Sequence, residues 1–360
     1  MFRAFGGLRH PQSHMGIRGL LGFLKDHGLI NSATEPMWPP GSVLAVDVPI
    51  FAHKFAYMER TIPGIQKRMI AFGHELRTLH AEPIFVFDGA KLHLKAGERQ
   101  ARAAARDRGL DRLRTKASKD LEALLQGYEG PEGIVIKADA PWSTTTGILV
   151  SGPQAAGAPL SEGSESTHDD VAPDTASVAT VINTFFQGML FPTQKDYREL
   201  QEALASAGFR VAQAKYEAEA LCAHLTRIGE AYAVLTEDSD AVAFGALRTI
   251  LKFTTEPKVV VFDDVLAGLS MSREQFVDLC CLFGCDFCTN IYMVGPRMAF
   301  QSMQRYGSWA AFRDDLLKTP QVVMYGRAND LSRTLADVQK FDALYAQVSQ
   351  CFLTCAEESL

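Results

Sequence analysis

Three times in this chain a short apolar run breaks off at an aspartate. Residues 42–46 (SVLAV) end on Asp47, residues 83–87 (PIFVF) end on Asp88, and residues 231–236 (AYAVLT) run into Glu237-Asp238-Ser239-Asp240, three carboxylates within four residues. Short β-prone runs bounded by turn-type residues read as buried strands. A carboxylate at the end of a buried strand costs solvation energy unless something positive stands beside it. In an extended segment, residues two apart point the same way, so Asp238 and Asp240 can share one ligand while Glu237 points elsewhere. Taken alone, this last stretch reads rather as a helix N-cap and a solvated acidic turn. Its recurrence along the chain favours a ligand.

The intervening sequence is helical in pattern. Residues 17–29 carry helical spacing with a stop at Gly28, and residues 66–79 precede the second strand. A helix at 196–206 leads to a short strand at 209–211, then to Glu217 and Glu219 at the start of a helix over 218–228. Strands at 249–253 and 258–262 follow, then a helix over 273–283 that ends at Gly284-Cys285-Asp286. Gly295-Pro296 marks a turn, with helices expected at 297–306, 309–317 and through the last forty residues. Alternating strands and helices predict an α/β fold with a mostly parallel, doubly wound sheet. Ligands of such sheets sit outside the carboxyl ends of the strands. Asp47, Asp88, Glu217, Glu219, Asp238 and Asp240 therefore fall on one edge. Oxygen donors without supporting His or Cys suit Mg²⁺ or Mn²⁺.

Charge is distributed unevenly. The net charge is −6, yet residues 91–119 hold ten Lys or Arg against three acids. Lys95, Arg99, Arg102 and Arg106 recur at helical spacing, a one-sided cationic stripe suited to phosphates. No run approaches the ~18 apolar residues of a membrane span. Seven cysteines without a secretory signal argue against a disulfide framework. Cys281, Cys285 and Cys288 lie close together but no His accompanies them, so buried helix thiols are favoured over zinc. Residues 1–14 carry Arg3 and Arg9 and no acid, as a mitochondrial leader or an unstructured tail does. Residues 151–177 are small, polar and acidic, and read as a disordered insertion flanked by a hairpin at 134–136 and 148–150.

The motifs, in order, resemble the flap endonuclease and 5′-exonuclease superfamily of structure-specific nucleases (the xeroderma pigmentosum G type). They are Met15-Gly16-Ile17-Arg18-Gly19-Leu20, Ala45-Val46-Asp47, Val86-Phe87-Asp88-Gly89, Tyr216-Glu217-Ala218-Glu219-Ala220, Thr236-Glu237-Asp238-Ser239-Asp240, and Gln275 to Leu279 through Gly284-Cys285-Asp286-Phe287. The resemblance implies a PIN-like nuclease core with a basic helical cap and a C-terminal helix–two-turn–helix region. The expected divisions are an extension at 1–14, an N-terminal nuclease region at 15–126, an insertion at 127–192, an internal region at 193–290 and C-terminal helices at 291–360. It implies two Mg²⁺ ions (or Mn²⁺) held by Asp47, Asp88, Glu217, Glu219, Asp238, Asp240 and Asp286. Lys95 and Arg102 match residues that polarise the scissile phosphate. His53 matches a base-stacking position and Arg60 a residue near the template strand, while Arg99 and Arg106 extend the basic face. Gly295 and Arg297 match the duplex-gripping turn, which also holds a monovalent cation. There the family's Gly-Ile-Gly-Pro-Lys reads Met293-Val294-Gly295-Pro296-Arg297, so the first glycine is lost.

The implied activity is Mg²⁺-dependent cleavage of branched or nicked duplex DNA at 5′ flaps or 5′ ends. A non-catalytic nucleic-acid scaffold and a small-substrate phosphohydrolase remain alternatives. A monomer without a sliding-clamp peptide is expected, nuclear by resemblance or mitochondrial from residues 1–14.

Overall fold

The computed structural model describes residues 16–32, 37–59, 61–97, 99–101, 192–251, 253, 257–320 and 331–354, with scattered helical positions between 103 and 115. Residues 1–15, residues 127–191 of the insertion expected at 127–192 with its hairpin, and Arg60, Arg102 and Arg106 lie outside the described residues. The described parts of 1–102 and 192–360 form one compact unit; residues 103–191 belong to a second.

Helix α1 (Leu20–Asp26) and a two-residue strand β1 (Asn31–Ser32) lead into β2 (Ser42–Asp47), α2 (Val48–Glu59), α3 (Ile62–Thr78) and β3 (Ala81–Phe87). After the insertion come α4 (Gln194–Ser206), β4 (Arg210–Gln213), α5 (Ala218–Arg227), β5 (Ala233–Leu235), α6 (Asp240–Ala243) and β6 (Arg248–Leu251). Strand β7 (Lys258–Val261) turns back, followed by α7 (Phe262–Leu269), α8 (Arg273–Phe283), α9 (Pro296–Tyr306), α10 (Trp309–Lys318) and α11 (Leu331–Thr354). The sheet has seven strands in the order β1-β7-β6-β5-β2-β3-β4. Strands β6, β5, β2, β3 and β4 are parallel neighbours; β7 is antiparallel to β6 and to β1. The fold is the expected α/β class with a mostly parallel sheet.

Central strands are apolar on both faces because both are covered. Ala45, Ile84, Val86 and Val234 join one core with Ala218, Leu221 and Cys222 of α5 and Phe276 to Phe283 of α8. The alternating Leu44, Val46 and Phe85 turn to the other face. There Phe51 of α2 meets Phe72 of α3 at 4.9 Å, and Phe85 meets Phe209 at 5.5 Å. Burying each such ring stabilises the fold by about 1.5–3 kcal/mol.

Local chemistry sets the element ends. Ser272 and Gln275 form a capping box, so α8 starts where the sequence predicts. Helix α3 begins earlier than expected, at Ile62, because the Thr61 hydroxyl accepts from Gly64 N and Pro63 sits in the first turn. Helix α2 follows Asp47 directly and escapes pattern reading: its sequence VPIFAHKFAYME is apolar on most sides.

Candidate metal centre

Parallel pairing puts the ends of β2, β3 and β5 side by side, and the acids there converge. Asp47 is fully buried; its Oδ2 accepts from the Thr236 hydroxyl at 2.6 Å, and its Oδ1 meets no donor among the described residues. Thr236 Oγ1 accepts in turn from Asp238 N at 3.0 Å. One hydroxyl thus ties the end of β2 to the acidic turn after β5.

The acidic turn does not stay extended, which corrects the alternation argument. Asp240 opens the short helix α6, with Ser239 as its N-cap residue. Asp238 and Asp240 are brought together by the turn itself: Asp240 N donates to Asp238 Oδ1 at 2.9 Å. Ser239 makes no side-chain cap bond. Its Oγ accepts from Ile17 N at 2.9 Å instead. Among the described residues neither carboxylate oxygen of Asp240 has a hydrogen-bond partner, although the residue is 1% exposed. Glu237 forms an ion pair with Lys54 on α2, away from this ligand set.

Two glycines permit the close approach. Gly16 has φ +78°, and a methyl group on it would stand 2.0 Å from Asp238 Oδ1, 2.6 Å from Ser239 Oγ and 2.9 Å from Asp240 Oδ1. Gly89 follows Asp88; a methyl there would strike the carbonyls of Ala214 and Lys215. Its N–H donates to Tyr216 O at 2.6 Å, which draws the segment before α5 against Asp88. Asp88 Oδ1 accepts from Ala218 N at 2.8 Å, in the first turn of α5. Oxygens of Asp88, Glu217 and Glu219 consequently lie within 4.8 Å of one another, close enough to hold one ion.

Lys95, in a short 3₁₀ turn (His93–Lys95), reaches into this group. It pairs with Glu217, its Nζ stands 3.9 Å from Asp286 Oδ2, and it lies 4.9 Å above the Phe287 ring. Burial works against its charge, but Glu219, Glu217 and Asp240 outweigh burial and hold it well above the ordinary lysine value. The acids shift the other way. Burial, opposed by the Thr236 bond and aided by Asp88 and Asp238, pushes Asp47 up to about 8. Loss of surrounding water and then the Glu217 charge push Asp88 up to about 6, though the residue itself reaches solvent. Burial raises Glu219 and Asp240 well above the carboxylate range.

This donor set fits a divalent cation. Carboxylates crowded enough to resist ionisation, with buried oxygens that no donor satisfies, are what a hard cation neutralises. Thr236, Gly16, Ser239 and Phe287 are the site residues that pattern reading missed. The motifs of the resemblance contain all four.

The remaining expected residues lie elsewhere or are engaged. Arg99 donates to Leu92 O at 2.6 Å and so braces the loop that carries Lys95. His53 is exposed on α2. Gly295 is the N-cap residue of α9, with open space around it, and Arg297 is exposed in the first turn. Met293 keeps a left-handed backbone (φ +67°) where the resemblance places a glycine. The six cysteines among the described residues are buried free thiols.

Comparison with known proteins agrees with this geometry. The XPG N-terminal domain matches residues 15–109 and the XPG I-region residues 208–286. Flap endonuclease 1 of Drosophila grimshawi is 28% identical over 260 residues, 69% of this chain and 52% of that protein. Flap endonuclease 1 of Leishmania major is 40% identical over 131 residues, 35% of this chain and 33% of its own. The chain therefore spans about half, or less, of these relatives. Among solved structures, the catalytic core of Rad2 in complex with a DNA substrate shares the fold with a TM-score of 0.56 at 16% identity, covering 94% of this chain and 86% of that one. Human GEN1 in complex with Holliday junction DNA does so with 0.55 at 16%, covering 94% and 66%. The matched models and relatives together support the flap endonuclease/XPG superfamily.

Proposed function

We propose that this chain is a divalent-metal-dependent nuclease that hydrolyses phosphodiester bonds in branched duplex DNA, at 5′ flaps or 5′ ends. The observation that carries the reading is the acid group at the sheet edge, with the buried, unsatisfied oxygens of Asp47 and Asp240 and with Lys95 among its carboxylates. A non-catalytic scaffold would have no need to hold these charges in so costly an environment.

Asp47, Asp88, Glu217, Glu219, Asp238, Asp240 and Asp286 would hold the metal, with Asp88, Glu217 and Glu219 near enough to share one ion. When bound, Mg²⁺ or Mn²⁺ supplies an activated water and charge compensation for the leaving oxygen. Lys95 leaves its carboxylate partners to take up a phosphate oxygen, where its positive charge opposes the extra negative charge of the transition state. Arg102 serves beside it, Arg99 steadies their loop, and Arg106 continues the basic face. His53 stacks on a nucleobase, and Arg60 approaches the template strand. Gly295 and Arg297 hold duplex phosphates at the start of α9, as helix N-termini do, with a monovalent cation in the same turn.

A labelled 5′-flap substrate, with and without Mg²⁺, tests the reading. Cleavage that needs the metal and drops by at least about 100-fold in Asp240→Asn supports it; metal-independent cleavage, or an unimpaired variant, overturns it. Product lengths from a flap and from a recessed end distinguish endonuclease from exonuclease action.

A further inference from the structure

The loop that carries Asp286 is bracketed by two thiols. Cys285 and Cys288 have their sulfurs 3.6 Å apart, and Cys285 N donates to Cys288 O at 2.9 Å. Cys281, at the end of α8, offers Cys288 its carbonyl oxygen at 3.7 Å. Only Asp286 and Phe287 stand between the pair, and both touch Lys95. The backbone on the near side is held. Gly284 O accepts from Arg18 N at 2.9 Å, and Gly284 has φ +87°, with Asn290 N 2.9 Å from where a methyl would stand.

We propose that Cys285 and Cys288 are a redox modification site, in which a hydroperoxide converts the two thiols to an intramolecular disulfide that displaces Asp286 from the acid centre. The step balances. Two S–H bonds and the peroxide O–O bond break, and one S–S bond forms. The sulfurs give up two electrons, and the peroxide takes these with two protons to leave as an alcohol and water. Both residues are nearly buried, at 4% and 5% exposure, so a small oxidant is the class that the site admits. A disulfide requires a sulfur separation of about 2.05 Å, so the pair must close by roughly 1.5 Å. With Gly284 anchored, that movement falls on the two residues between. Misplacing a reacting group by about 1 Å can cost ~100-fold in rate. The effect on cleavage rests on the proposed metal centre; the disulfide itself does not.

The test uses the full chain, reduced and then treated with hydrogen peroxide, with free thiols trapped by alkylation. The expected product has lost two hydrogens in mass, and its peptide map joins Cys285 to Cys288. Its Mn²⁺ affinity by calorimetry and its Mg²⁺-dependent flap cleavage both fall, by about tenfold or more, and dithiothreitol restores them. Cys285→Ser and Cys288→Ser, two independent variants, keep both properties under the same peroxide. A map without the 285–288 link overturns the proposal, as does a linked protein with unchanged Mn²⁺ affinity. If the reduced chain cleaves no DNA, the nuclease reading fails, while the map and the Mn²⁺ titration still decide the thiol pair.

Discussion

Gly16 and Asp238 cannot both carry a side chain here: a methyl carbon on Gly16 would stand 2.0 Å from Asp238 Oδ1. The glycine's left-handed backbone (φ +78°) adds a second reason for its identity. Gly16→Ala therefore carries both a conformational cost of about 1–2 kcal/mol and a collision that pushes the acidic turn outward. Thermal unfolding should show a lower Tm, and a Mn²⁺ titration weaker binding. A variant with wild-type Tm would show that the turn yields freely.

Removing one buried charge should separate stability from ligand binding. Asp240 stands mostly among like charges, with Lys95 the opposing one, and among the described residues no donor reaches either oxygen. Asp240→Asn should leave the metal-free protein at least as stable at pH 8, since it deletes repulsion, yet reduce the rise in Tm that Mg²⁺ or Mn²⁺ gives the parent chain. Melting curves with and without metal check both halves.

The raised carboxyls predict a sign for the pH dependence. Asp47 at about 8 and Asp88 at about 6 hold protons in the folded state that the unfolded chain, near pH 4, has already released. Their contribution is full below about pH 4 and is lost as pH rises through 6 to 8. The metal-free protein should be more stable at pH 5 than at pH 8. Added divalent metal should reverse the trend at pH 8, with proton release measurable by calorimetry in buffers of different ionisation enthalpy. A metal-free Tm that rises over this interval would contradict the shifts.

Lys95 has a dual position, paired with Glu217 yet charged and central. Lys95→Ala should reduce single-turnover flap cleavage by about 100–1,000-fold. It should lower metal-free stability as well, because it leaves Glu217 and Asp286 without their shared cation. Lys95→Arg should recover the stability more fully than the rate.

Met293 occupies a left-handed backbone position with its side chain 44% exposed. Met293→Gly relieves that conformation while removing little packing, so stability should rise by about 1 kcal/mol. Urea unfolding with an unchanged m value would confirm the origin of the gain.

Much of this was legible along the chain. The strand ends at Asp47 and Asp88 follow from apolar runs that stop at polar turns. The span of α8 follows from a Ser272–Gln275 capping box and a terminating Gly284. The convergence of the acids on one edge follows from the α/β alternation, since every parallel strand presents its carboxyl end on the same side. The failures are equally physical. Extended alternation paired Asp238 with Asp240 for a wrong reason, because the chain turns into α6 at Asp240 and a backbone bond to Asp238 Oδ1 sets their spacing. The cationic stripe identified Lys95 and Arg99 alike, yet Lys95 enters the acids while Arg99 closes on Leu92 O.

By itself the sequence determined the fold class, the edge on which the acids gather and the negative charge of that edge. These depend on periodicity and charge, which are local. Tertiary structure alone decided which oxygens are left without a donor, that Thr236 binds Asp47, and that Gly16 seats against a turn more than two hundred residues away. Such contacts depend on strand register and on glycine-sized gaps between segments distant in sequence, and no local pattern records them.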